Sequence, residues 1–117
     1  MTTNTAGATM RKKSLTKDQR QIQIIQWFAN RVLEDNWKVA SLAEIAKGIG
    51  MSPSSHLRKI SETLVDEQTL VARDFKRKGR WQGRGYRPNR KHFKRPQRTV
   101  VINFTQNGKK IRLEQLL

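Results

Sequence analysis

The sequence has no cysteine, which excludes disulfides and cysteine-ligated metal sites and permits a reducing compartment. It has no long apolar run. Its apolar stretches span a few residues, against the roughly 20 that a membrane-crossing helix needs, so no membrane association is expected. The opening MTTNTAGATM lacks the apolar segment of a secretory signal, and the expected location is cytoplasmic. Acid is scarce: nine Asp and Glu stand against 25 Lys and Arg. There are only two histidines, His56 and His92. No carboxylate pair, Ser-His-Asp set, metal-ligand spacing or phosphate-cradling loop stands out. No enzymatic activity and no cofactor are therefore expected.

What is present is charge of one sign. The formal net charge is +16 and the pI about 11.4, a balance that points to an acidic partner, most often nucleic acid. The excess is not spread evenly. Residues 1–75 carry 11 Lys/Arg and 8 acids, a net of +3, whereas residues 76–117 carry 14 Lys/Arg and only Glu114, a net of +13. Half of the residues in KRKGRWQGRGYRPNRKHFKR, positions 76–95, are Lys or Arg, with Trp81, Tyr86 and Phe93 set among them. A solubilising tail needs neither this asymmetry nor these aromatics. With 117 residues and 35% hydrophobic content, the chain can build one small core.

Residues 1–14 are Thr-rich and are expected to be a disordered arm. Thr16 followed by Gln19 is a capping-box pattern. Behind it Ile22, Ile25, Phe28, Ala29 and Val32 recur at helical spacing, predicting a helix over about 17–35 that Asn36 ends. Trp37-Lys38-Val39 reads as a short extended piece. Ser41 and Glu44 form a second capping box, opening a helix that Gly50 stops. Ser52 then suits an N-cap and Pro53 a first helical position, predicting a helix over 53–66 with Leu57, Ile60 and Leu64 inward. Thr69–Phe75 is β-prone and leads into the basic run. Thr99–Phe104 is a strand signal and Asn107-Gly108 a hairpin turn, with residues 109–117 open between a return strand and a terminal helix.

Two capped helices joined at Gly50 make a helix-turn-helix pattern. The stretch Leu42-Ala43-Glu44-Ile45-Ala46, then Gly50-Met51-Ser52-Pro53-Ser54-Ser55, then Leu57-Arg58-Lys59-Ile60, Leu64 and Leu70-Val71 resembles the winged helix-turn-helix domains of bacterial and phage DNA-binding regulators. The similarity covers about residues 17–90. It implies an α+β fold: a three-helix core plus a β-hairpin wing over residues 15–90, followed by a basic C-terminal extension, linker and strand or hairpin, over 91–117.

The resemblance also implies roles. The helix over 53–66 would enter the major groove, presenting Ser52, Ser54, Ser55, Arg58 and Lys59. Arg58 suits a bidentate contact to guanine. The wing over 76–87 would touch backbone or minor groove. Lys76, Arg77, Lys78, Arg80, Trp81, Arg84, Tyr86 and Arg87 would contact DNA there, with Arg90 and Lys91 behind them. This sequence departs from the family pattern in placing His56 six positions after Gly50 and Leu57 seven, which predicts a turn one residue longer. Glu62, Asp66 and Glu67 crowd the end of that helix and should point away from phosphates.

The expected partner is double-stranded DNA and the expected role that of a transcriptional regulator or accessory, nucleoid-associated protein. Two rivals stand beside it. The Arg-Gly-rich segment 79–85 also suits RNA, and a winged helix can serve as an adaptor in a larger assembly. Val100, Ile102 and Phe104 form an apolar face that must be covered, either by the domain itself or by a homodimer through 99–117.

Overall fold

The computed structural model describes residues 16–95 and 98–116. The expected N-terminal arm lies outside the described residues. The fold is α+β, with three helices and two three-stranded antiparallel sheets among the described residues.

Helix α1 (Lys17–Leu33) begins as its capping box dictates. The Gln19 amide donates to Thr16 Oγ1 at 3.2 Å, and the Thr16 amide to Gln19 Oε1 at 3.0 Å. Such a cap is worth about 1 kcal/mol. The helix turns Ile24, Ile25, Phe28, Ala29, Val32 and Leu33 into the core. It stops slightly before the expected end. Asp35, not Asn36, takes the left-handed conformation (φ 59), and Asn36 instead accepts from Arg31 and from the Lys38 amide. No helix among the described residues is long and apolar enough to cross a membrane.

Strand β1 is Ala40–Ser41, directly after the extended piece expected over Trp37-Lys38-Val39. Helix α2 (Leu42–Ile49) carries the second capping box, with Ser41–Glu44 bonds of 3.2 Å each way, and Gly50 ends it at φ 74. Gly48 sets the approach of α2 to α1. A Cβ there would lie 1.9 Å from Trp27 Nε1, so the indole lies against bare backbone.

Helix α3 (Ser55–Asp66) starts two residues later than expected. Ser52 and Pro53 remain in the turn, and Ser54 is the cap, its Oγ accepting from the Leu57 amide at 3.2 Å. Residue 52 precedes a proline, which disfavours helical backbone there. The turn thus spans 50–54. Leu57, Ile60 and Leu64 face inward as the spacing predicted, joined by Ser61.

Strands β2 (Leu70–Arg77) and β3 (Arg80–Pro88) form a hairpin around Lys78-Gly79, both with positive φ (53 and 78). β1 pairs with β3, Ala40 opposite Tyr86, giving the order β1-β3-β2. A register shift between Asp74 and Lys76 faces Gly83, whose φ of 118 supplies the bulge. Pro88 ends β3 as expected.

Strand β4 (Phe93–Lys94) lies within the expected linker. β5 (Thr99–Gln106) and β6 (Lys109–Leu116) flank Asn107-Gly108, so the open question over 109–117 resolves to a strand for residues 109–116. The order is β4-β5-β6. Phe93, Val100, Ile102 and Phe104 join the same buried cluster as the helices. Gln106 Nε2 donates to Gln21 Oε1 at 2.9 Å and to the Asp18 carbonyl at 3.0 Å, tying β5 to α1. The apolar face that suggested pairing with a second copy is therefore covered from within the chain.

Candidate nucleic-acid interface

The local chain direction assembles the site. α3 runs into β2 through Glu67–Thr69, and the hairpin then doubles back along the helix. Glu62 marks the crossing. Arg84 on β3 reaches it with two bonds, Nε to Oε2 at 2.5 Å and an Nη to Oε1 at 2.8 Å. Tyr86 Oη donates to the same Oε2 at 2.6 Å. Beyond Arg84 the hairpin continues for about 16 Å of strand to its tip at Lys78-Gly79.

The electrostatics of this clamp follow from its geometry. Burial alone would raise the Glu62 carboxyl. The bonds from Arg84 and Tyr86, with the charges of Arg84 and Arg58, hold it below its ordinary value. The same bond raises the Arg84 guanidinium. Burial, then the bond to Glu62, pushes the Tyr86 phenol up to about 12. The geometry makes Glu62 a fastener between α3 and the β2–β3 hairpin, a role not evident in the sequence. Its only sequence signal was its position one turn after Arg58.

Two expected contacts need correction. Tyr86 is 1% exposed and belongs to the core, because it shares the inward face of the hairpin with Ala72 and Leu70. Arg84 keeps its position on the wing, but its charge is engaged by a carboxylate. Ser54 is likewise occupied by its capping bond, whereas Ser52, Ser55, Arg58 and Lys59 are exposed. Arg58 stands near enough to Glu62 and Tyr86 to influence both.

At the tip, Lys78 and Arg80 are exposed. The backbone pairs Arg77 with Arg80 and Lys76 with Trp81; the side chains of Lys76, Arg77 and Trp81 lie outside the described part. Arg87 is half-buried, with an Nη near the Pro88 carbonyl.

Arg90 and Lys91 are not beside the tip. They follow Pro88, about 26 Å down the strand from Arg80. Asn89 there is bonded to the Gln68 carbonyl at the far end of α3. Arg90 stacks over Trp37, 4.2 Å from the ring centroid. The expected basic contacts thus fall into two groups, one at the tip and helix start, one at the wing base.

Comparison with protein-family models, with curated proteins and with solved structures gives no match. The site has to be read from its own geometry.

Proposed function

We propose that the chain is a winged helix-turn-helix protein that binds double-stranded DNA, as a transcriptional regulator or accessory DNA-binding protein. The observation that carries this reading is the clamp at Glu62, which ties the helix bearing exposed Ser55, Arg58 and Lys59 to a hairpin whose tip bears exposed Lys78 and Arg80.

An α-helix fits the major groove, where Arg58 would read guanine O6 and N7 while Lys59 holds phosphate. The tip would lie on the adjacent backbone or minor groove. The acidic end of α3, Asp66 and Glu67, sits at the opposite end of the helix from this contact, which keeps carboxylates away from phosphates.

Competition between mixed-sequence duplex DNA and single-stranded RNA at two salt concentrations tests the reading. Duplex preference with a steep salt response is expected, on the order of a thousandfold loss from low to moderate salt if six or more phosphates are engaged. Preference for RNA would sink it. Selection of sites from a random duplex library would then supply the sequence that Arg58 reads.

A further inference from the structure

The wing does not account for the charge of the second half of the chain. Of its fourteen Lys and Arg, Lys76, Arg77, Lys78, Arg80, Arg84 and Arg87 lie on the hairpin, and eight lie beyond it. Three of those eight stand together on the outer face of the second sheet.

β5 alternates strictly. Val100, Ile102, Phe104 and Gln106 are buried toward α1, so Val101, Asn103 and Thr105 look outward. The pairing register carries that alternation to the neighbouring strands. Lys94 opposite Val101, Arg112 opposite Asn103 and Lys110 opposite Thr105 share the outer face, and all three are exposed. Arg112 and Lys94 are two strands apart and two residues out of line, about 12 Å, and Lys110 lies about 7 Å along β6 from Arg112. Beside Lys110 and Arg112 lies an open groove of about 370 Å³, lined also by His92, Asn103, Phe104, Thr105 and Ile111. The one carboxylate on this face is Glu114, which pairs with Arg112 at 3.0 Å. Both side chains are more than half exposed, and such a pair is weak enough to open for a phosphate.

This face is not part of the first site. Gln21 of α1 meets β5, and Trp27 of α1 meets α2. Six residues separate them, so sheet and helix-turn-helix lie about 120° apart around the α1 axis.

We propose that the outer face of the second sheet binds the phosphate backbone of a second duplex segment, so that one copy of the chain bridges two pieces of double-stranded DNA. The inference rests on the duplex-binding reading of α3 and the wing. The charge, openness and width of the face fit a line of phosphates better than an enclosed small ligand.

The test is retention of a free labelled duplex on beads that carry an immobilised duplex, each about one and a half helical turns long, with the protein as the only link. Wild-type protein is expected to retain the labelled duplex. The variant K94Q/K110Q/R112Q is expected to bind a single duplex within about twofold of wild type, yet to retain the second at least about tenfold less, as loss of three phosphate contacts implies. Glu114→Gln removes the only acid on the face and should raise retention about twofold. Circular dichroism and thermal melting of each variant establish that the fold persists.

Three results would overturn the inference while leaving the first site intact. Wild-type protein binds one duplex but retains no second. The triple variant bridges undiminished, as a dimer joined elsewhere would. The triple variant loses single-duplex affinity as severely as K59Q/R80Q, which would make both faces one footprint. Absence of any duplex binding would instead remove the first reading and this one together.

Discussion

The two sheets have three strands each, and they put their side chains to different uses. β5, TVVINFTQ, carries no charge and buries every second residue against α1. The β2–β3 hairpin carries seven cations and Asp74, and its inward face holds to the helices through Leu70, Ala72, Tyr86 and the Glu62 clamp. Their turns differ in the same sense. Both hairpins place two consecutive residues at positive φ, but one uses Asn107-Gly108 and the other Lys78-Gly79. Asparagine visits that region with little strain, and lysine does so at a cost. The second sheet is built for packing, and the wing keeps a cation at its tip where packing would choose otherwise.

The largest expected effect lies in the packed sheet. Ile102→Ala should cost about 2–5 kcal/mol, read as a shifted denaturant midpoint, because Ile102 is fully buried. Arg80→Gln on the exposed wing should leave that midpoint within about 0.5 kcal/mol and weaken duplex binding instead. Equal destabilisation by both would erase the contrast.

Glu62→Ala comes next. It strands the buried Tyr86 hydroxyl and releases Arg84, with a stability loss of about 1–3 kcal/mol. Salt titration of duplex binding should then show about one more phosphate engaged, since a wing cation is set free. An unchanged melting temperature would show that the clamp does not hold the wing.

Lys78→Asn sharpens the comparison of turns. Giving the wing the residue type found at Asn107 should stabilise the fold by roughly 0.5–1 kcal/mol and lower the salt slope of binding by about one. A loss of stability would mean that Lys78 contributes more than charge.

The smallest effect concerns titration. Tyr86 is the only tyrosine, so tyrosinate absorbance reports it alone. Its ionisation should be displaced from 10.0 to about 12. Because the folded value is raised, the phenol's contribution to stability is complete below pH 10 and is lost as pH climbs toward 12. For Glu62 the folded value is lowered, so its contribution is present above the ordinary 4.5 and fades as pH falls below it. Ionisation of Tyr86 near 10 would place its hydroxyl in water and break the clamp.

Both capping boxes, the Gly50 stop, the inward set Leu57, Ile60 and Leu64, and the Asn107-Gly108 turn were legible in the sequence. Each depends on residues within four positions of one another. The start of α3 was misplaced because Ser52 and Ser54 are equivalent local signals. Of the expected contact residues, Ser52, Ser55, Arg58 and Lys59 stand exposed at the start of α3, and Lys78 and Arg80 at the hairpin tip. Arg90 and Lys91 lie at the wing base. Tyr86 was misread because strand phase within a basic, glycine-rich run has no hydrophobic alternation to reveal it.

By itself the sequence determined the three helices and their inward faces, the capping boxes of α1 and α2, the Asn107-Gly108 turn and the asymmetric charge, since these follow from short-range hydrogen bonding, side-chain periodicity and composition. Only the tertiary structure decided that Glu62 meets Tyr86 across 24 residues, that Trp27 lies on Gly48, and that the second sheet covers its own apolar face. Those outcomes depend on strand register and on which surfaces exclude water together, and both are settled by contacts between residues far apart in the chain.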